Sequence, residues 1–402
     1  MSIIRDITDN VRNRLTELEV FLFIGSRQSG KTTILKQLQS YLDGQEEKTY
    51  FVNLEDPDYF KLLNESPKNL FKIFTFDLKR KSYVFVDEVQ YLYDPSHFLK
   101  YFFDEYKDSI KLIVSGSSAF YLDKKFKDSL AGRKKIFHIH TLSFREFLRF
   151  KDEPTLAKKE FTHTSLSDFE RIRNLYREYI IYGGYPRVAL ASLAEKEDIL
   201  QEIAYSYIKK DVFDAHIRQD EIFYRLFKLL ASGIGGLVNI SELSNILNVS
   251  VSAIENYLYS MQQSFHISLV RPFFKNMRKE LTKMPKVYFY DIGLRNFFVN
   301  NFNAFEMRED KGGLLENAVF RQLIENNEED HIKFWRTVSK NEVDFIVNER
   351  RALEVKVNPE QFQPSKYKIF FEHYPLIPLE IASFDTDMRS IHDRAVTNVW
   401  EI

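Results

Sequence analysis

Phe21-Leu22-Phe23-Ile24-Gly25-Ser26-Arg27-Gln28-Ser29-Gly30-Lys31-Thr32-Thr33-Ile34-Leu35-Lys36-Gln37-Leu38-Gln39 is the stretch that decides the fold. An apolar run ends at one glycine, and a stretch of helical character opens after the next. Between them runs G-x-x-x-x-G-K-T, from Gly25 to Thr32, the spelling and context of a phosphate-binding loop. Gly25 and Gly30 permit a tight turn whose amides point inward. Those amides and the helix N-terminus bind phosphate oxygens. Lys31 adds a point charge at the β and γ phosphates, and the Thr32 hydroxyl is placed to bind Mg²⁺. Ser26, Arg27, Gln28, Ser29 and Thr33 complete the nucleotide-binding stretch, so ATP and Mg²⁺ are the expected ligands.

Outward from the loop, short apolar runs recur at Phe21–Ile24, Tyr50–Leu54, Tyr83–Val86, Lys111–Val114 and Ile136–Ile139, with stretches of helical length between them. That alternation predicts an α/β fold with a parallel sheet covered by helices. The run Tyr83-Val84-Phe85-Val86 ends in Asp87-Glu88. Two carboxylates closing a buried strand need a reason, because unpaired buried charge is costly. Asp87 is expected to hold the Mg²⁺ shell and Glu88 to polarise the attacking water.

Composition narrows the field. The 402 residues suggest two or three domains at roughly 150 residues each. Hydrophobic residues at 44% and charged residues at 29% are globular values. Lys+Arg total 57 against 58 Asp+Glu, which excludes a uniformly basic nucleic-acid coat but not a local patch. There is no cysteine, so disulfide scaffolds, thiolate zinc sites and cysteine nucleophiles are excluded. No apolar run approaches the roughly 18 residues of a spanning helix, and the charged first twenty residues do not read as a signal peptide. A cytoplasmic protein without a membrane partner is expected. His138 and His140 alternate on a strand with no third ligand in view.

Lys111-Leu112-Ile113-Val114-Ser115 leads into Gly116-Ser117-Ser118. Then come Leu130-Ala131-Gly132-Arg133 and Leu142-Ser143-Phe144-Arg145-Glu146-Phe147-Leu148. Taken with the loop and Asp87-Glu88, this order over residues 1 to about 150 resembles a family of archaeal and bacterial AAA+ ATPases. The resemblance implies that Ser115, or failing it Ser117, is the polar sensor at the strand tip, where an ordinary strand-to-turn serine is the alternative. It also implies that Arg133 is an arginine finger serving a neighbouring subunit of a homo-oligomer. A surface arginine opening a strand is the competing account. The family commonly has Pro and Val where this chain has Ser26 and Ser29. Neither change touches a phosphate-contacting group.

From Leu142 to about Arg218 the pattern is mostly helical, broken at Gly183-Gly184-Tyr185-Pro186. Ile240–Leu247, with a Ser cap available, and Val251–Gln263 read as two helices joined by Asn248-Val249-Ser250, a helix-turn-helix. Ile254, Leu258 and Met261 share one face of the second helix. The ribbon after it carries Arg271, Lys275, Arg278, Lys279, Lys283, Lys286 and Arg295 against Glu280 and Asp291. A winged helix with a basic wing touching DNA phosphate fits this pattern. The second helix carries Glu255 and no Arg or Lys, so base reading is not supported. Subunit packing is the alternative use of such a unit. The GGYP stretch and Lys286–Leu294 resemble the partner domain, largely of unknown function, that follows such ATPases.

Near the C-terminus, Glu316 sits on a helix over residues 313–325. Strands follow at Ile332–Trp335, at 341–347 and at 352–357. Asp344 and Glu354 lie on adjacent strands, and Lys356 shares a face with Glu354. Two carboxylates beside a lysine make a divalent-metal arrangement, which Glu316 would complete. A cross-strand salt-bridge cluster is the inert alternative. Helix Glu, strand Asp, then Glu-x-Lys resembles the PD-(D/E)XK nuclease superfamily, which includes Holliday-junction resolvases.

The expected organisation is an ATPase core over 1–141, a helical lid over 142–218, a winged helix over 219–299 and a nuclease-like α/β domain over 312–402. The expected activity is ATP hydrolysis coupled to remodelling or translocation of DNA, including branched DNA. A nucleotide-dependent switch that binds a protein partner, and an ATP-gated nuclease, are the alternatives.

Overall fold

The computed structural model describes residues 3–116, 130–161, 165–214, 220–274, 280, 283–384 and 386–402, without the side chains of 207–214. The chain divides into two compact units, one built on residues 1–141 and the other on most of 142–402.

In the first unit, β1 (Val20–Gly25), β2 (Lys48–Asn53), β3 (Ser82–Asp87), β4 (Ile110–Gly116) and β5 (Lys134–Ile139) form a parallel sheet in the order β2-β3-β4-β1-β5. Every residue of β1, β3 and β4 is buried, as a sheet covered on both faces requires. The helix Lys31–Asp43 lays Ile34, Leu35, Leu38 and Leu42 against Phe21, Phe23, Phe85 and Ile113. Spacings of three and four put those four residues on one face. Parallel strands also put every strand's C-terminal end at the same edge. The tips of β1, β3 and β4 therefore meet there.

The second unit begins with helices, among them Leu166–Tyr182 and Asp220–Ser232. Helices Ile240–Leu247 and Val251–Gln263 follow, joined through Asn248 in the left-handed region. The cap of the first is the Asn239 side chain, which accepts from the Glu242 N–H, rather than the serine expected. Ile254, Leu258 and Met261 are buried on one face of the second. An antiparallel pair comes next, β6 (Ile267–Val270) and β7 (Lys286–Phe289). The helix Lys311–Asn326 then leads to a sheet ordered β12-β13-β11-β10-β9-β8. Its strands are β8 (Ile332–Arg336), β9 (Glu342–Val347), β10 (Arg351–Lys356), β11 (Leu379–Ser383), β12 (Ser390–Ile391) and β13 (Arg394–Asn398). β8, β9 and β10 form an antiparallel meander, whereas β11 runs parallel to β10.

The ribbon's basic count does not carry over into surface charge. Lys286 is 2% exposed, and Arg295, which lies on the helix Ile292–Phe298 rather than in the ribbon, is 1% exposed. Both are consumed by internal ion pairs, which a sequence count cannot distinguish from solvent-facing charge. Arg271 and Lys283 are exposed. Lys275, Arg278 and Lys279 lie outside the described residues.

Candidate functional sites

The phosphate-binding loop is shaped by contacts its sequence dictates. Gly25 pairs with Ile139 across β1 and β5, and a Cβ on Gly25 would lie 2.0 Å from the Ile139 carbonyl oxygen. Only glycine fits so close an approach. Gln28 and Gly30 take positive φ values of 54° and 98° and turn the loop into the helix Lys31–Asp43. No side chain caps that helix, so its first N–H groups face the loop's concavity. Inside the loop, the Ser29 hydroxyl donates to the Ser26 carbonyl at 2.7 Å. Lys31, 4% exposed, donates to the carbonyls of Gly25 at 3.0 Å and Ser26 at 2.7 Å. Arg27 and Thr32 are half-buried, and Thr33 is exposed. A residue missed in the sequence braces the loop from outside. Buried Arg5 donates to the Ser29 carbonyl at 2.7 Å and the His140 carbonyl at 3.0 Å. No pattern around Arg5 announces this role.

Asp87, Glu88 and Ser115 meet at the same sheet edge. Ser115 is fully buried and sits beside Phe23 of β1. Its hydroxyl donates to Asp87 Oδ1 and accepts from the Glu88 N–H at 3.1 Å. Glu88 is left-handed, with φ 59° and ψ 47°, and its carboxylate accepts from the Gln90 amide. That backbone is unfavourable for glutamate, and such conformations persist where the surroundings over-determine them. Thr32 and Asp87 supply the hydroxyl and carboxylate oxygens that Mg²⁺ prefers, so the donor set fits that ion.

Arg133 precedes β5, at the opposite edge of the sheet from its own loop. The strand rise puts the two about 17–20 Å apart. Its Nε pairs with Asp104 Oδ1 at 2.7 Å, both side chains about a third exposed. Ser117 lies outside the described residues.

In the second unit, Asp344 and Glu354 project from neighbouring antiparallel strands, one step beyond the Phe345–Leu353 pair. Glu316 of the helix Lys311–Asn326 joins them through a residue the sequence reading placed elsewhere, Lys286 of β7. The Lys286 Nζ lies 2.7 Å from Glu316 Oε1, 2.6 Å from Glu342 Oε1 and 3.7 Å from Asp344 Oδ1. Tyr288 also donates to Glu316 Oε1. Asp344 Oδ2 accepts the Val355 N–H at 2.8 Å. Lys356 donates to Glu354 Oε1, while Glu354 Oε2 is buried with no hydrogen-bond partner. Burial pushes the carboxyls of Glu316 and Glu354 above the ordinary range. Burial alone would push Lys286 down, but Glu316, Asp344 and Glu342 outweigh it and hold its pKa above the usual lysine value. Glu342 was within reach of the sequence, since it shares a strand face with Asp344 two residues on. Among the described residues, no group of three or more His, Asp or Glu is placed to hold a metal ion. Trp335 packs in the core, and Arg336 pairs with Glu342 at 2.7 Å.

Comparison with known proteins agrees with the first unit. Residues 18–148 match the family described as an AAA domain. Residues 173–304 and 311–386 match two domains of unknown function, DUF8612 and DUF4143. An uncharacterized protein of Methanocaldococcus jannaschii is 26% identical over 351 residues, 85% of this chain and 75% of that one. An uncharacterized protein of Haemophilus influenzae is 27% identical over 341 residues, 82% of this chain and 79% of that one. Among solved structures, the ADP form of the Aeropyrum pernix ORC2 protein is similar at a TM-score of 0.33 and 14% identity. It covers 67% of this chain and 87% of its own. The replication initiator DnaA bound to AMPPCP and single-stranded DNA is similar at 0.30 and 13%, covering 65% and 90%. Similarity this distant leaves each site to be argued from its own residues. The parallel sheet, the loop and the family match together define an ATP-binding P-loop domain of the AAA+ class. No helix among the described residues is long and apolar enough to cross a membrane.

Proposed function

We propose that this chain is a Mg²⁺-dependent ATPase of the cytoplasm that binds DNA, including branched DNA, and couples hydrolysis to remodelling or translocation. The observation that carries the reading is the joining of Asp87, Ser115 and Glu88 at the strand tips beside the loop. Lys31 would exchange the Gly25 and Ser26 carbonyls for phosphate oxygens, which bind an ammonium more strongly. Thr32 and Asp87 would hold Mg²⁺, which supplies Lewis acidity to the phosphates when bound. Ser115 fixes the Asp87 carboxylate and the Glu88 backbone at once. Glu88 is the group that would polarise a water. Arg133 is too far from its own loop to act there and would serve a neighbouring copy in a homo-oligomer.

DNA contact rests on the helix pair and ribbon, read as a winged helix, with Arg271 and Lys283 exposed. A specific observation favours the protein-partner switch as second reading. Ile246, Val251 and Tyr259 of the helix pair are 50%, 44% and 42% exposed, while Lys286 of the ribbon and Arg295 of the helix after it are buried. The order of helix and strands after Lys311 supports a nuclease-like fold for the C-terminal region, with Glu316, Asp344, Glu354 and Lys356 at its centre.

ATP turnover measured with linear and junction DNA, at two salt concentrations, tests the reading. Stimulation that weakens with salt is expected. A rate indifferent to both DNA forms would leave the switch. Lys31→Ala should lower turnover by at least about 100-fold, and an unchanged rate would place the site elsewhere.

A further inference from the structure

The geometry points to Lys286 as a built-in cation that occupies the carboxylate cluster of the C-terminal sheet, so that the cluster takes up no divalent metal ion in this conformation. This goes beyond the ATPase reading and stands whether or not the first unit hydrolyses ATP.

The ammonium reaches carboxylates from two elements, Glu316 on the helix and Glu342 and Asp344 on β9. A divalent ion would need those same oxygens, at about 2.0–2.6 Å. Two cations sharing them would repel across a few ångströms of buried space. The remaining oxygens are mostly spent. Asp344 Oδ2 holds the Val355 N–H, Glu354 Oε1 holds Lys356, and Glu342 Oε2 holds Arg336. A Cβ on Gly235 would come within 3.1 Å of Glu316 Oε2, so that oxygen has room only because residue 235 is glycine. Of the cluster's carboxylate oxygens, Glu354 Oε2 is the one that is buried without a hydrogen-bond partner, although Lys356 and Tyr367 both bond its carboxylate, and one such oxygen does not make a metal site.

Charge agrees with geometry. Counted in their ionised forms, Glu316, Glu342, Asp344 and Glu354 face Lys286, Lys356 and Arg336, at most four negative charges against three positive. A dication would turn that deficit into an excess of one in a buried site. Lys286 belongs to β7, so the cluster also ties the ribbon to the C-terminal sheet. Metal entry would require β7 to withdraw its lysine.

The test is Mn²⁺ binding by calorimetry to the full chain without nucleotide, for wild type, Asp344→Asn, Lys286→Met, and Lys286→Met combined with Asp344→Asn. Wild type and Asp344→Asn should give the same isotherm, with no cluster site tighter than about a millimolar. Lys286→Met should gain one site at least about tenfold tighter, lost again when Asp344→Asn is added. A wild-type site that disappears in Asp344→Asn would overturn the proposal, and so would a folded Lys286→Met that gains none. Should Lys286→Met not fold, the wild-type and Asp344→Asn pair decides alone.

Discussion

At the scale of single residues, Glu88 carries a conflict between stability and activity. Its left-handed backbone costs a β-carbon residue about 1 kcal/mol. It is held there because its N–H is drawn to Ser115, which in turn donates to Asp87. Asparagine tolerates that conformation better than glutamate. Glu88→Asn should therefore raise the stability of the first unit by about 0.5–1 kcal/mol. It should also cut ATP turnover by about 100-fold or more, with nucleotide binding retained. Thermal melts and nucleotide titrations on the same preparation check both halves. A variant less stable than wild type would mean that the strain is not relieved there. Gly25 shows the opposite case, where any side chain collides with the Ile139 carbonyl and no trade is available.

At the scale of elements, the segment Asp291–Asn296 is a clasp. Asp291 accepts the Gly184 N–H at 2.8 Å and the Leu294 N–H at 2.9 Å. Gly183 has φ 78°, and a Cβ there would strike Asp291 Oδ1 at 2.3 Å. Asn296 donates to the carbonyls of Ile180 and Ile181, while Arg295 donates to the Ala231 carbonyl and to Asp310. Burial pushes Asp310 up, but hydrogen bonds from Arg308 and Arg295 outweigh it and hold the carboxyl at about 2, against an ordinary 3.8. A folded value below the unfolded one means stability present above 3.8 and lost as pH falls through about 2. Asp310→Asn should remove that acid limb and cost about 2 kcal/mol at neutral pH, because two buried guanidinium groups lose their counter-charge. Urea titrations at stepped pH, followed by Trp335 and Trp400 fluorescence, read this directly. An acid limb that survives the substitution would assign it to other carboxylates. The clasp also shows what the sequence could carry. The β1, β3 and β4 runs were legible because buried parallel strands are continuously apolar, and the loop because its glycines and lysine have fixed spacing. The GGYP and Asp291–Asn296 stretches stood out, but no periodicity says that they bind each other 107 residues apart. Lys286 and Arg295 were misplaced for the same reason, since charge is visible in a sequence and its partner is not.

At the scale of the whole molecule, the question is whether one chain completes its own catalytic site. Arg133 lies at the far edge of its sheet, and its ion pair with Asp104 is about one-third exposed on each side. A pair so exposed is worth about 0–1 kcal/mol, which does not prevent the guanidinium from turning to another carboxylate or phosphate. The homo-oligomer proposed above makes the arginine of one copy part of the next copy's site. A head-to-tail contact repeated around a closed ring would do this for every copy. In that case Lys31→Ala lacks a working loop but still lends its Arg133, and Arg133→Ala has the loop but lends nothing. Each variant alone should be nearly inactive. In an equal mixture that assembles at random, about a quarter of the interfaces pair an intact loop with an intact Arg133, so ATP turnover should recover to about a quarter of the wild-type rate. Mixing must follow dissociation and reassembly, checked by exchange of differently labelled copies. If exchange is complete and no activity returns, Arg133 acts within its own chain or only packs against Asp104. If Arg133→Ala alone retains full turnover, the residue has no part in hydrolysis, and the ATPase site is complete in a single copy.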